Sequence, residues 1–184
     1  EILTAAVIRA GLPGRAIAQA LAPGGPQVTL FDAKPGATDA AGAFIASMFD
    51  RAVERGRMKP EEATAAKGRV AIAAELREIA GVDLVVEAIV EELSAKRALF
   101  AEIESVVGPD CVLATNTSSL SVTAIAAACK TPERVAGFHF FNPVPVLRVV
   151  EVVSGLATAR ETADALVRLA RRFGHEPVRT RDTP

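Results

Sequence analysis

The 184-residue sequence is poor in cysteine, carries no excess of charge and has no long hydrophobic run. Cys111 and Cys129 form neither a CxxC pair nor a metal-ligand spacing, which predicts reduced thiols, no bound metal and a cytoplasmic location. A formal net charge of −1 favours neither a nucleic acid nor an anionic membrane as a partner. The apolar stretch from Val82 to Val90 is interrupted by acids and is far shorter than the ~20 residues of a membrane span.

What is present is typical of one globular domain that acts on a small molecule. Half of the residues are apolar, enough for a substantial core. No basic-then-apolar signal opens the chain. Because it begins at Glu1 rather than Met and stops at Pro184, we expect residues 1–184 to be one domain cut from a longer protein.

Short apolar runs alternate with longer segments of helical period, which predicts the α/β class. We expect a Rossmann-type, doubly wound, mostly parallel sheet with helices on both faces, because most strands are continuous apolar runs. The predicted strands are Ala5–Ile8, Gln27–Phe31, Val82–Glu87, Cys111–Thr115, Arg134–Phe140, Leu147–Val153 and an edge strand at Glu176–Thr180. The predicted helices are Gly14–Ala22, Ala40–Arg55, Pro60–Arg69, Leu93–Val107, Val122–Ala128 and Ala159–Phe173, and Pro23–Pro26 is predicted to be a turn.

A modified glycine motif follows the first predicted strand. The segment RAGLPG, residues 9–14, stands in the place of G-x-G-x-x-G, with Gly11 where the backbone approaches a pyrophosphate and Gly14 where helix and strand pack closely. Leu12 and Pro13 complete the loop. Asp32, 21 residues after Gly11, ends the next strand, where it would hydrogen-bond a ribose hydroxyl. The order of strand, loop, helix, strand and acid predicts a dinucleotide site and favours NAD over NADP, although nearby Lys34 keeps NADP open.

Arg9 replaces the first glycine of that motif. If its backbone has a positive φ, a non-glycine residue costs on the order of 1 kcal/mol, and its bulk would press on the cofactor. The guanidinium would alternatively pair with the pyrophosphate. We predict weaker NAD binding than in an Arg9→Gly variant.

A second group of polar residues follows later strands. Asn116 and Ser118 lie just after the strand Cys111–Thr115, where ligands bind in open α/β sheets. Farther on, His139 and Glu151 flank a proline turn centred on Pro145, so an antiparallel return of the chain would place them opposite each other. A carboxylate there would hold the imidazole in one tautomer and raise its basicity, as a general base requires. The alternatives are a histidine on a strand with its hydrogen bonds satisfied and a surface glutamate, and turn-forming Asn and Ser side chains.

The sequence resembles the 3-hydroxyacyl-CoA dehydrogenase family from about Ala5 to Pro184. The resemblance rests on four segments, VVEAIVEELSAKRALF, ATNTSSLSVTAIA, RVAGFHFFNPVPV and VEVVSGLAT. It implies NAD as cofactor and the reversible oxidation of an (S)-3-hydroxyacyl-CoA to the 3-oxoacyl-CoA, as in β-oxidation of fatty acids. By position it implies that His139 removes the 3-hydroxyl proton while Glu151 orients it.

The resemblance implies further contacts around the cofactor and the substrate. Ser118 would hydrogen-bond the substrate oxygen, with Asn116 beside it near the nicotinamide ribose. Glu91 and Lys96 would contact the nicotinamide half, and Ala88 would line its path. Without the resemblance, Glu91 and Lys96 are interpreted as exposed charges near a helix start.

Two surface assignments stay open on the sequence alone. The cluster Arg51, Arg55, Arg57 and Lys59 would either meet CoA phosphates, since CoA in this family lies along the helical region after the second strand, or form a solvated helix face. His175 has no obvious partner and is predicted to lie at the surface.

The family's RDTP segment is followed by a catalytic asparagine and an all-helical domain that closes over the acyl chain and dimerises. We therefore expect residues 1–184 alone to be nearly inactive, and the full-length protein to be a homodimer through that domain. Three alternatives are a 6-phosphogluconate-related dehydrogenase, a non-catalytic binding module that no longer holds NAD, and a multifunctional chain that also bears an enoyl-CoA hydratase.

Overall fold

The computed structural model describes residues 1–182, which form an eight-stranded sheet flanked by helices. The strands are β1 (Thr4–Ile8), β2 (Gln27–Phe31), β3 (Val70–Ile72), β4 (Leu84–Glu87), β5 (Val112–Thr115), β6 (Val135–Phe140), β7 (Val149–Ser154) and β8 (Glu176–Arg181). The α-helices are α1 (Leu12–Leu21), α2 (Ala37–Glu54), α3 (Pro60–Gly68), α4 (Leu93–Val106), α5 (Val122–Ala126) and α6 (Arg160–Arg172). Short 3₁₀ helices span Ala22–Gly24, Leu76–Ile79 and Pro132–Arg134.

The sheet has the order β3-β2-β1-β4-β5-β6-β7-β8. All neighbours are parallel except β6 and β7, which are antiparallel. This confirms the predicted doubly wound, mostly parallel fold. The chain order reverses between β1 and β4, and in such sheets ligands bind in the crevice beyond the carboxyl ends of the strands at that point.

Each face of the sheet carries its own apolar layer. Side chains of α1, α2, α3 and α6, such as Ile17 and Leu166, pack on one face, and those of α4 and α5, such as Phe100 and Ile125, pack on the other. Covered faces explain why β1, β4 and β5 are continuous apolar runs rather than alternating ones. In the part of the chain that the structure describes, no helix is both long and apolar enough to cross a bilayer.

Several sequence predictions needed correction. Strand β3 was missed because it has only three residues, Val70–Ile72, two of them exposed, at the edge of the sheet. Helix α1 begins at Leu12 rather than Gly14, because Pro13 is tolerated in a first helical turn. The predicted turn Pro23–Pro26 begins inside a 3₁₀ helix, and Leu76–Ile79 forms another that was not predicted. The other boundaries match the prediction, as for Gln27–Phe31, or shift by at most three residues.

The antiparallel return of the chain after β6 was predicted and is confirmed. In the register of β6 and β7, His139 is paired directly with Glu151. Strand β8 lies at the sheet edge beside β7, as predicted for the late strand.

Candidate active site

The loop between β1 and α1 has a backbone that suits a phosphate, but it starts with a strained arginine. Arg9 has a φ of 92°, in the left-handed region that non-glycine residues avoid. A Cβ at Gly14 would lie 1.6 Å from the carbonyl oxygen of Arg9, so that position requires glycine. A Cβ at Gly11 would meet only the Arg9 side chain, with Nε 3.5 Å away. The backbone at Gly11, called the cradle below, is therefore open to a phosphate except where the side chain of Arg9 lies beside it.

Asp32 closes this end of the site. Its Oδ2 accepts a hydrogen bond from the Ala10 backbone N–H at 2.9 Å, and its Oδ1 accepts one from the Lys34 N–H at 2.9 Å. A carboxylate has about four lone-pair sites, so these contacts leave Asp32 able to accept from a ribose hydroxyl. The cradle at Gly11, the N-terminus of α1 and Asp32 fit a dinucleotide, whereas the side chain of Arg9 opposes it.

A buried ion pair lies at the end of β4. The side chains of Glu87 and Lys96 are 0% and 1% exposed, and Lys96 Nζ lies 2.5 Å from Glu87 Oε2. Lys96 Nζ also lies 3.2 Å from Oε1 of Glu91, whose side chain is 40% exposed. The alternative of two exposed charges is thus wrong for Lys96, because a carboxylate nine residues earlier in the chain compensates the burial of its ammonium group.

Glu91 joins this ion pair to the loop after β5. Its Oε2 accepts hydrogen bonds from Thr117 Oγ1 at 2.9 Å, Ser119 Oγ at 3.0 Å and the Ser118 backbone N–H at 3.3 Å. Burial opposes ionisation of Glu91, but the hydrogen bonds from Thr117 and Lys96 and the charge of Lys96 outweigh it and lower the pKa of Glu91. Glu91 is therefore ionised when it accepts the hydrogen bonds from the loop after β5.

Asn116 and Ser118 occupy different positions in that loop. Asn116 Oδ1 accepts a hydrogen bond at 2.9 Å from the backbone N–H of Phe140, the residue after His139. This contact fixes the orientation of the Asn116 amide and does not use its N–H donors. The Ser118 side chain, in contrast, is exposed. The Asn116 side chain therefore joins the ends of β5 and β6 rather than only shaping its own turn.

His139 and Glu151 form the pair that their spacing predicted. Nδ1 of His139 lies 3.2 Å from Oε1 of Glu151, and their side chains are 18% and 29% exposed. The imidazole also packs against Phe141, with ring centroids 4.8 Å apart. A carboxylate at Nδ1 favours the tautomer with the proton on that nitrogen, which leaves Nε2 as a proton acceptor.

The candidate residues therefore converge at one edge of the sheet, at the ends of adjacent strands. Gly11 and Asp32 follow β1 and β2, and Ala88 follows β4, with its backbone N–H donating to the carbonyl of Ile8 at 3.2 Å. Asn116 follows β5, and His139 lies near the end of β6. The basic cluster Arg51, Arg55, Arg57 and Lys59 lies at the end of α2 and in the segment that follows it.

That cluster borders a cavity of about 360 Å³ between α1, α2 and the turn after β6. Arg51, Arg55 and Arg57 line it together with Arg148, whereas Lys59 does not. All these arginine side chains are exposed, as a solvated helix face would also be.

His175 also lines this cavity, and its predicted surface location is wrong. It is only 6% exposed, and its ring lies 4.8 Å from Phe173 and 5.6 Å from Phe140 between centroids. Burial lowers the pKa of His175, and the charge of Arg148 lowers it further. His175 lies in the turn between α6 and β8, and folding places it against Phe140 and Phe173, which no local sequence signal indicates.

Sequence reasoning also missed two acids that shape the site. Glu87 was interpreted only as a strand end. Asp182 was quoted only as part of a motif, but its Oδ2 accepts from Ser121 Oγ at 2.9 Å and from the Thr123 N–H at 2.7 Å, at the start of α5. Burial opposes ionisation of Asp182, but these hydrogen bonds outweigh it and lower its pKa. The acid in an apolar strand end was a usable signal for Glu87, since buried carboxylates need partners.

The fold and this edge of the sheet define a dinucleotide-binding domain of the doubly wound class. The chain belongs to the family described as the NAD binding domain of 3-hydroxyacyl-CoA dehydrogenase, whose model matches residues 4–183. This confirms the family resemblance and the prediction of NAD as cofactor, and it favours them over a 6-phosphogluconate-related enzyme.

Two relatives match this chain over its whole length. It is 45% identical over 184 residues to the 3-hydroxyadipyl-CoA dehydrogenase of Escherichia coli and 39% identical over 184 residues to a probable 3-hydroxybutyryl-CoA dehydrogenase of Bacillus subtilis. The two matches include all of this chain but only 39% and 64% of the lengths of these relatives, respectively.

Solved structures show the same fold. The crystal structure of 3-hydroxybutyryl-CoA dehydrogenase from Escherichia coli superposes with a TM-score of 0.96 at 44% identity, covering 100% of this chain and 39% of that one. The crystal structure of (S)-3-hydroxybutyryl-CoA dehydrogenase from Ralstonia eutropha superposes with a TM-score of 0.95 at 33% identity, covering 100% of this chain and 65% of that one.

Proposed function

We propose that this chain is the cofactor domain of an enzyme that oxidises an (S)-3-hydroxyacyl-CoA to the 3-oxoacyl-CoA with NAD. The observation that carries the proposal is the His139–Glu151 pair, with 3.2 Å between Nδ1 and Oε1, at the sheet edge where the dinucleotide cradle lies. Family membership and dehydrogenase relatives support it. The chain spans only part of those relatives, so the activity of the whole protein is part of the proposal.

In this proposal each side chain of the site has its own role in proton transfer or binding. Glu151 holds the Nδ1 proton of His139, so Nε2 accepts the proton of the substrate 3-hydroxyl and returns it in the reverse reaction. Ser118, with its exposed hydroxyl, donates to the substrate oxygen, and the amide of Asn116, oriented by Phe140, donates beside it. Gly11, Gly14 and Asp32 hold the dinucleotide, with Leu12 and Pro13 completing its loop and Ala88 lining its path. When bound, NAD supplies the hydride acceptor.

The test of the base uses a protein in which this domain is joined to its helical domain, assayed by acetoacetyl-CoA-dependent oxidation of NADH. We expect His139→Gln to lower kcat by about 10²–10⁴-fold with NADH affinity retained, because a general acid–base group contributes that much. Glu151→Gln should lower kcat less, since it only orients His139. The matched control is Glu176→Gln, an exposed glutamate on neighbouring β8. Full activity of His139→Gln would refute the assignment.

The substrate part of the proposal places CoA phosphates at the arginines beside the cavity. Arg51, Arg55 and Arg57 line it from the helical segment after β2, and Arg148 lines it from the segment between β6 and β7. Guanidinium groups bind phosphate in a bidentate way, which favours this role over a solvated face. We expect Arg51→Ala to raise the KM for acetoacetyl-CoA while Arg168→Ala, an exposed arginine on α6, leaves it unchanged.

The proposal extends to the assembly and location of the enzyme. A helical domain that closes over the acyl chain and pairs two copies would complete the site, so residues 1–184 alone should turn over acetoacetyl-CoA far more slowly than the joined protein. Turnover equal to that of the joined protein would refute this. A reducing, cytoplasmic location is supported by the two free, buried cysteines, Cys111 and Cys129.

A further inference from the structure

Arg15 is a half-buried arginine near the start of α1 whose charge is held by an aromatic ring instead of an acid. In the part of the chain that the structure describes, it forms no ion pair, and its Nε is buried without a hydrogen-bond partner. Its guanidinium carbon lies 3.8 Å from the centre of the Phe44 ring on α2. A cation–π contact of this kind uses the face of the guanidinium, whereas the N–H donors lie in its plane. Arg15 is therefore a positioned cation that keeps donors for a ligand.

Arg15 lies between the cradle and the cavity that the arginines line. Its backbone N–H donates to the carbonyl of Gly11 at 3.0 Å, so it is one helical turn from the cradle. Gln19, one turn later on α1, lines the cavity. Met48, one turn after Phe44 on α2, lines it as well. The contact between Arg15 and Phe44 is therefore at the end of the cavity that is nearest the cradle.

The order of the positive charges matches the order of the groups in a CoA ester. Arg51 lies two turns, about 10 Å, beyond Phe44 on α2, and Arg55 follows at the end of that helix. His139 lies near the sheet edge at which α1 begins. A CoA ester carries, in sequence, a ribose 3′-phosphate, a pyrophosphate, and an uncharged pantetheine arm that ends in the thioester. A ligand that runs from Arg51 towards His139 meets Arg15 second, where the pyrophosphate comes second.

We propose that Arg15 binds the pyrophosphate of the CoA ester, with the 3′-phosphate at the arginines of the cavity, and so determines specificity for CoA over thioesters without a phosphate. That a CoA ester lies here rests on the proposed function. A guanidinium can donate two parallel N–H bonds to phosphate oxygens, and such charge-assisted bonds are stronger than neutral ones. The dinucleotide carries a pyrophosphate too. The contact with Phe44 favours the CoA ester, because it draws the guanidinium to α2, whose arginines line the cavity.

The first test is calorimetric titration of the protein in which this domain is joined to its helical domain. The probes are CoA, dephospho-CoA, which lacks the 3′-phosphate, and NADH. We expect Arg15→Met to weaken the binding of CoA and dephospho-CoA by the same factor, about tenfold, because hydrogen bonds to a charged group are lost. NADH affinity should be retained. Arg15→Lys should recover part of the loss, since it keeps the charge without the paired donors. Arg168→Met, an exposed arginine on α6, is the matched control and should change no affinity.

The second test separates phosphate binding from a purely structural contact between α1 and α2. We expect Arg15→Met to lower the ratio of kcat/KM for acetoacetyl-CoA to that for acetoacetyl-pantetheine by about tenfold, because only the first carries a pyrophosphate. Phe44→Leu keeps an apolar side chain but removes the ring, so it should lower this ratio in the same direction and by less. A structural contact would lower both kcat/KM values together and leave their ratio unchanged, which would overturn the proposal.

Two further outcomes would overturn the assignment. If Arg15→Met weakened NADH binding and left CoA binding unchanged, Arg15 would serve the pyrophosphate of the dinucleotide. If it weakened CoA binding but not that of dephospho-CoA, Arg15 would contact the 3′-phosphate. Failure of the proposed function has a different signature, which is CoA binding that depends on Arg15 in a protein that does not oxidise NADH with acetoacetyl-CoA.

Discussion

Replacing Arg9 by glycine should make the chain both more stable and a tighter binder of NADH. Arg9 has a φ of 92°. A non-glycine residue in the left-handed region costs about 1–2 kcal/mol, and the greater freedom of glycine in the unfolded chain offsets about 0.5–1 kcal/mol of that. The net gain of about 0.5–1 kcal/mol should raise the melting temperature by roughly 1–4 °C for a domain of this size.

The gain in affinity has a separate cause, which is the position of the side chain. Nε of Arg9 would be 3.5 Å from a Cβ at Gly11, where the backbone must approach the pyrophosphate. Moving this side chain aside costs the binding reaction free energy. We expect NADH to bind about three- to tenfold more tightly to Arg9→Gly, which corresponds to about 0.7–1.4 kcal/mol.

Arg9→Ala separates the two effects, because alanine keeps the strained φ and removes the guanidinium. We expect calorimetric titration to give both variants tighter NADH binding, and thermal unfolding to show a higher melting temperature only for Arg9→Gly. Equal affinity of the original chain and Arg9→Gly would refute the obstruction. Weaker binding by Arg9→Ala would show that the guanidinium pairs with the pyrophosphate instead.

Two further predictions concern stability. Gly14→Ala should abolish cooperative unfolding by circular dichroism, since its Cβ would lie 1.6 Å from a backbone oxygen, whereas Gly68→Ala, with nothing within 4 Å of its Cβ, should be tolerated. His175→Phe should flatten the pH dependence of stability. Burial lowers the folded-state pKa of His175 below 6.5, so its contribution to stability is full above pH 6.5 and is lost as the pH falls through the folded-state value. The free energy of unfolding, measured with urea at about pH 5 and about pH 8, checks this. An equal difference between the two pH values in the original chain and in His175→Phe would contradict it.

Much of the site was predictable because its signals are local. The RAGLPG segment, its distance to Asp32 and the apolar runs around it indicate the cradle without any tertiary information. The pairing of His139 with Glu151 was also predictable, because two apolar strands joined at a turn near Pro145 allow few registers, and the observed register is the symmetric one.

Other features were hidden because they depend on residues brought together by folding. Nothing near Lys96 in sequence indicates that its ammonium group is enclosed, and a lysine in a first helical turn is ordinarily solvated. Strand β3 is apolar but only three residues long, too short to stand out in the sequence, and it forms because the edge of β2 offers it backbone partners.

The sequence by itself determined the order of the strands and helices apart from β3, the glycine loop with arginine at its first position, and the pairing of His139 with Glu151. These follow from periodicity and spacing, which act over a few residues. Only the tertiary structure decided which charges are buried, because the burial of Lys96 requires Glu87 from another element, and that of His175 requires Phe140 and Phe173 packed around it. It also showed that Arg9 has a strained backbone, with a φ of 92°, whereas the sequence could not give the sign of this angle.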